Sequence, residues 1–354
     1  MVDRTHIEHF PLGEAKKIVQ DLFVRKPLIY WVDFLISVTL GWSAFVLTLT
    51  FPTFSPGQLV FYLIATLALY RALIFTHELA HMKRSAFRLF RIIWNVICGF
   101  PLMTPSFTYH GVHIEHHRSS SYGLEEDGEY LPLAIERPYK IILYVLLSFV
   151  LPIVFAGRFI LLAPLSYLHK RLRTLVWRYA SSLAIDLRYN RSEPSAQDRK
   201  DWRIQEGFTF LYGATVIVLV VTGVLTYKVL VLWYLIAVLI FMLNSLRTLA
   251  AHCYLNPGDR VMAFAEQYLD SVNVPGNRFL TALWAPVGLR FHATHHLFPS
   301  MPYHALGEAH RRLIAELPDN SLYLETTRKS LWDALRRLWK DARAHTHADA
   351  ALPA

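Results

Sequence analysis

His110-Gly111-Val112-His113-Ile114-Glu115-His116-His117 places four histidines within eight residues, more metal-binding capacity than packing asks for. On a helix, His113, His116 and His117 stand at i, i+3 and i+4, so three rings leave one face and can converge on one point. His110, one turn earlier, lies near that face. The same spacing returns in His292-Ala293-Thr294-His295-His296, and a pair at i and i+4 stands in His77-Glu78-Leu79-Ala80-His81. Three clusters of one geometry predict a single site.

Around these clusters the chain is apolar. Of 354 residues, 54% are hydrophobic and only 18% charged, with a mean hydropathy of +0.29, which predicts a polytopic membrane protein rather than two soluble domains. The net charge of +9 is carried mostly beside apolar runs, where basic residues fix topology and meet anionic lipid. No nucleic-acid partner is expected. Cys98 and Cys253 form no CxxC pair, so neither thiol chemistry nor a disulfide framework is expected. Residues 1–26 mix acids and bases without a short apolar core, and no cleavable signal peptide is read there.

The expected fold is all-α, with four spanning helices in two hairpins at about 28–51, 57–76, 208–227 and 229–249, since about 20 residues cross the hydrocarbon core. The stretch 92–103 is too short to cross and is closed by Pro101 and Pro105, so it reads as re-entrant or interfacial. The stretch 141–165 is kinked by Pro152 and Gly157. The basic segment from His169 to Arg203 must share the side of the His110 cluster, so 141–165 is expected to enter and leave on one side. By the positive-inside rule that side is cytoplasmic, and a cytoplasmic helical cap then holds all the histidine clusters. Leu331, Trp332, Leu335, Leu338 and Trp339 recur at helical spacing on a surface helix, and residues 345–354 read as a disordered tail.

Imidazole-rich sites with few carboxylates suit iron, zinc or copper. Two, three and three histidines make eight, and His252, just after the last spanning run, makes a ninth. That many converging rings imply two metals, because one zinc takes four ligands. The competing reading is His77-Glu78-Leu79-Ala80-His81 as the HExxH motif of a zinc protease, with Glu78 as general base and Asp259 as a further ligand. It leaves both HxxHH clusters without work.

Together these residues resemble the membrane fatty acid desaturase family, whose three boxes read HxxxH, HxxHH and HxxHH. The boxes here are His77 with His81, then His113, His116 and His117, then His292, His295 and His296, and Leu297-Phe298-Pro299 follows the third. The resemblance spans Leu28 to about His310, and the first box is more similar to the acyl-lipid branch. It implies that His252 completes a nine-histidine diiron centre. Asn244 stands for an asparagine placed a turn earlier in members, here at a spacing of eight. It further implies that dioxygen and electrons from a separate ferredoxin or cytochrome b5 introduce a double bond into a long acyl chain. A hydroxylase or ketolase on the same scaffold is the alternative. Glu78 and Glu115 are candidates to orient ligand rings, or equally to be solvated or to pack. His6, His9, His169, His304, His310, His345 and His347 read as ordinary interfacial or tail residues, and Trp31, Trp42, Tyr62 and Trp233 as interface and helix-packing residues.

Overall fold

In a computed structural model, residues 11–83, 85–318 and 321–350 are described, and every regular element among them is helical, with isolated bridge pairs only. The order is α1 Leu12–Ile18, α2 Pro27–Thr50, α3 Pro56–Ala80, α4 Arg88–Trp94, α5 Phe107–His116, α6 Tyr139–Leu146, α7 Leu151–Gly157 and α8 Ala163–Ser166. Then come α9 Lys170–Tyr179, α10 Ala196–Val221, α11 Lys228–Leu249, α12 Phe264–Asp270, α13 Arg278–Trp284, α14 His292–Leu297, α15 Tyr303–Glu316 and α16 Leu331–Ala350. Four of these, α2, α3, α10 and α11, are long and apolar enough to cross a membrane, and the protein is a multi-pass membrane protein.

Local chemistry sets their ends. Ser55 accepts a hydrogen bond from the Gln58 amide and Pro56 opens α3, while Ser195 caps α10 by accepting from the Asp198 amide, two ordinary ways of starting a helix. The helix α3 runs four residues past the expected end, to Ala80, because Glu78 is buried and bonded to Tyr30 rather than solvated. The start of α10 lies at Ala196 rather than 208, since its polar first turns are capped and hold a buried Glu206; it stops at Val221, before Gly223 at φ +77°, a conformation glycine adopts freely. The segments Tyr139–Phe149 and Leu151–Ser166 form a pair bent by 48°, with the break just before Pro152, whose ring removes a helical hydrogen bond. The last helix takes in residues 345–350 of the stretch expected to be disordered; alanine is the strongest helix former and recurs through Ala342, Ala344, Ala348 and Ala350. Residues 351–354 of that tail, and His6 and His9, lie outside the described residues.

The chain divides into two compact units. The apolar unit comprises Leu28–Ile114 and Leu146–Leu243. In it α2 and α3 touch along their length: Asp33 pairs with Arg71 through two bonds of 2.7 and 2.5 Å, Tyr30 donates to Glu78 at 2.5 Å, and a Cβ at Gly41 would come within 2.8 Å of the Leu69 side chain. Trp42 donates to the Ile97 carbonyl, Tyr62 to that of Leu235 and Trp233 to that of Pro101, which is the helix-packing role expected of them. Arg158 and Arg173 both pair with Glu206, and all three are buried.

The polar unit comprises the N-terminal residues up to Pro27, Glu115–Val145, and Asn244 to the C-terminus. Its core gathers α1, α14 and α15 around Phe291, Leu297, Phe298, Leu306 and Leu313, and a smaller cluster joins Ala250, Val272, Val274 and Ala334. Asn273 ties this unit together: its amide donates to the Thr326 carbonyl and its side-chain oxygen accepts from the Thr294 amide at 3.1 Å at the start of α14.

Candidate metal centre

In the polar unit, four histidines from three parts of the chain present ring nitrogens within 4.8 Å of one another: His116, His252, His292 and His296. His116 ends α5. His252 follows α11 in a short extended piece bridged to Ser271. His292 and His296 leave one face of α14, one turn apart. The His292 Nε2 lies 2.9 Å from the His252 Nε2 and 3.0 Å from the His296 Nε2. His117 and His295 meet beside them in the same unit, Nε2 to Nε2 at 3.1 Å.

Neighbouring groups decide which nitrogen of each ring carries the proton. The Tyr122 hydroxyl lies 2.9 Å from an Asp270 oxygen and 2.8 Å from the His252 Nδ1. A carboxylate only accepts, so the hydroxyl gives its proton to Asp270 and accepts from Nδ1–H of His252. The Nε2 lone pair of His252 is thereby left for the cluster. Asp127 acts likewise on His116, whose Nδ1 is 2.9 Å away, and it also accepts the amides of Gly123 and Glu129. Burial opposes charge on His116, yet the adjacent Asp127 carboxylate outweighs it and raises the affinity of that ring for a proton. For His252, His292 and His296 burial prevails, and neighbouring rings add to it at His292 and His296, so these three are held neutral well into the acid range or below their ordinary value.

In the apolar unit, His77 and the α3 C-terminal His81 meet His113 of α5. The His81 and His113 Nε2 atoms are 2.8 Å apart, and the donor atoms of all three lie within 4.8 Å of one another. Tyr109, one turn before His113, places its hydroxyl 2.9 Å from the His113 Nδ1 and so holds that ring in place.

Such clusters fit a cation. A neutral ring such as His252, whose Nδ1–H is committed to Tyr122, turns its Nε2 lone pair towards the neighbouring ring nitrogens, and lone pairs do not bond each other. A borderline metal ion between such rings satisfies them at once, with the orientation of His116, His252 and His113 fixed from behind by Asp127, Tyr122 and Tyr109.

All nine histidines expected as ligands belong to such groupings. Other candidate residues are placed as follows. His110 belongs to neither cluster. Glu78 is bonded to Tyr30 among Phe34, Phe75 and Phe90, not poised as a general base, and Asp259 is exposed on its loop. Glu115 takes the solvated role, pairing with Arg118 at 2.8 Å, and Asn244 accepts from Arg247 at 3.2 Å. His310 is not an ordinary surface residue: it is buried and its Nδ1 lies 2.7 Å from the Tyr323 hydroxyl, because α15 packs its inner face on Phe291. Tyr109, Tyr122, Asp127 and Asp270 were not anticipated. The i, i+4 spacing of Tyr109 and His113 is the one local signal among them.

Comparison with known proteins bears on what this centre serves. The family model described as "Fatty acid desaturase" matches residues 53–328. A protein of Caulobacter vibrioides named "Ceramide hydroxylase" is 40% identical over 330 residues, covering 93% of this chain and 93% of its own. No solved structure matches.

Proposed function

The chain belongs to the fatty acid desaturase family, and on that premise we propose that it hydroxylates the hydrocarbon part of a ceramide-like sphingolipid within the membrane, using dioxygen. The observation that carries this reading is the 40% identity, along 93% of both chains, to a protein named a ceramide hydroxylase. Box spacing describes the metal-holding scaffold, which desaturation and hydroxylation share, so it does not separate the two outcomes; function resides in the site rather than the fold. For that reason the relative's name weighs more than the spacing that suggested a desaturase.

Nine histidines, His77, His81, His113, His116, His117, His252, His292, His295 and His296, are proposed to hold two irons. When bound, the metal pair supplies reduction of dioxygen and removal of hydrogen from an unactivated carbon. The protein's own contribution is to hold and orient. Asp127 fixes the His116 ring, and the Tyr122 hydroxyl with Asp270 fixes that of His252, so the ligand nitrogens are aimed before metal arrives. Burial of His116, His292 and His295 keeps bulk water from the rings, which limits loss of a reactive oxidant to solvent. Electrons are proposed to come from a separate ferredoxin or cytochrome b5, as the family resemblance implies. Positive charge beside the spans supports a cytoplasmic site.

Lipids from a host that makes ceramide, with and without the protein, test the reading by mass spectrometry. Hydroxylation adds ceramides heavier by one oxygen atom. Ceramides or acyl lipids lighter by two hydrogens would assign a desaturase instead, and an unchanged profile from an iron-loaded protein would sink both. A His295→Ala variant that stays in the membrane is expected to add neither.

A further inference from the structure

A small, partly open cleft in the polar unit has His252 among its lining residues. Its walls include Ala334 and Leu338 of α16, and its rim carries Arg328, Arg337 and Asp341. Arg337 pairs with Asp341 at 2.9 Å, and Arg328 donates to the carbonyls of Glu325 and Thr327. Beyond the rim, Arg336, Lys340 and Arg343 are exposed and follow one another at i, i+4 and i+7, one stripe of α16. From Glu325 to Arg343 the chain has six basic residues (Arg328, Lys329, Arg336, Arg337, Lys340, Arg343) and three acidic ones (Glu325, Asp333, Asp341), a net of +3. Among the described residues no salt bridge is formed by Lys329, Arg336, Lys340 or Arg343.

The cleft does not suit a lipid: a long hydrocarbon chain needs a large apolar site, whereas this one is small and lined by Arg328, Arg337 and Asp341. What the cleft offers is an approach to a ligand ring from solvent, under a field that attracts negative charge. Complementary charge steers diffusional encounter and sets the approach of a partner more than it sets final affinity.

We propose that the α16 stripe and the rim of this cleft are the docking surface of an acidic one-electron carrier protein, with His252 as the point of electron entry. This rests on the reading of the chain as an iron enzyme fed by a separate carrier. Each encounter oxidises the carrier by one electron and reduces the centre by one, and the carrier then leaves. Rapid exchange suits a shallow, charged surface, because weak redox encounters are small and polar.

Binding of an acidic plant-type [2Fe–2S] ferredoxin to the full-length protein in phosphatidylcholine nanodiscs tests the surface without needing turnover. Wild type is expected to bind saturably and to weaken steeply as salt rises. The double variant Arg336→Glu, Lys340→Glu is expected to bind at least about tenfold more weakly, by slower association, and to lose most of the salt dependence. The milder Arg336→Gln, Lys340→Gln pair is expected to fall between, and an unchanged melting profile separates a lost surface from a lost fold. Three results overturn the proposal: no saturable binding by wild type, binding unaffected by charge reversal, or a charge effect that appears only in anionic phosphatidylglycerol discs, which would give the stripe to the membrane. Iron content, measured on the same samples, judges the functional reading separately: iron-free protein that binds ferredoxin through α16 would keep the surface and remove the diiron centre.

Discussion

Replacing Asp127 by Asn should cost metal without costing the fold. Asp127 is buried and receives three N–H groups: His116 Nδ1 at 2.9 Å, the Gly123 amide at 2.9 Å and the Glu129 amide at 3.0 Å. Asparagine has the same volume but no charge and only one acceptor oxygen, so at least one of these donors faces an NH2 group instead. A hydrogen bond to a charged partner contributes about 1.5–3 kcal/mol. If most of that is felt at the ring, metal binding weakens about 10–100-fold, the range seen for partners that orient metal-bound histidines. Chelator competition read by iron content per polypeptide would measure the loss, with the melting temperature in detergent as the control. Asp127→Glu, which restores charge on a longer arm, should recover part of the affinity. Wild-type iron affinity in Asp127→Asn would refute the orienting role, as would an affinity loss matched by general unfolding.

Three further outcomes are expected. Glu206→Gln leaves Arg158 and Arg173, both buried, sharing one neutral partner, and should destabilise the apolar unit by about 3–5 kcal/mol, read as a lower melting temperature, while Glu206→Asp loses less. His310 is pushed down to about 4, chiefly by burial and then by Arg290; its folded value lies below the unfolded one near 6.5, so its contribution is complete above pH 6.5 and is lost as pH falls towards 4, by about 3 kcal/mol in total. Denaturant titrations should show that slope in wild type, and His310→Phe should flatten it, whereas identical slopes would remove His310 from the account. Single cysteines at Thr53 and Tyr227 should label from the side opposite to one at Arg188, which is exposed where the nearby Arg191 is buried; labelling of all three from one side would break the even count of crossings on which a shared site depends.

The histidine clusters and the four long helices were legible because each depends on spacing within a few residues or on an apolar run, and both are local. The helix ends were less so. Ala196 begins α10 twelve residues ahead of the apolar stretch because Ser195 caps it and because Glu206 finds Arg158 and Arg173, partners that no window of sequence contains. The orienting groups were hidden for the same reason. Tyr122 and Asp270 are 148 residues apart, and nothing about Asp127 in the acidic run Glu125-Glu126-Asp127 marks it from its neighbours until the chain turns its side chain onto His116. His310 looked like one more histidine on an amphipathic helix, and only the packing of α15 on Phe291 makes it an interior group.

At the start of α5, the helix that carries His110 and His113, backbone amides are held by side chains of other elements. The Ser106 amide bonds to Asn95 Oδ1 at 2.8 Å, and the Phe107 amide to Gln205 Oε1 at 3.2 Å, so α10 itself holds one of the first amides. Beyond Gln205 the apolar part of α10, residues 207–221, is 15 residues long, about 22 Å at 1.5 Å per residue, against a hydrocarbon core of about 30 Å. A bilayer thicker than that stretch must thin or draw the helix into a new depth or tilt. Through the Gln205 bond such a shift is expected to act on the amide where α5 begins, less than two turns from His113. If the proposed metal centre holds, protein of identical sequence reconstituted in short-chain and long-chain lipids should differ in the geometry of its bound metal.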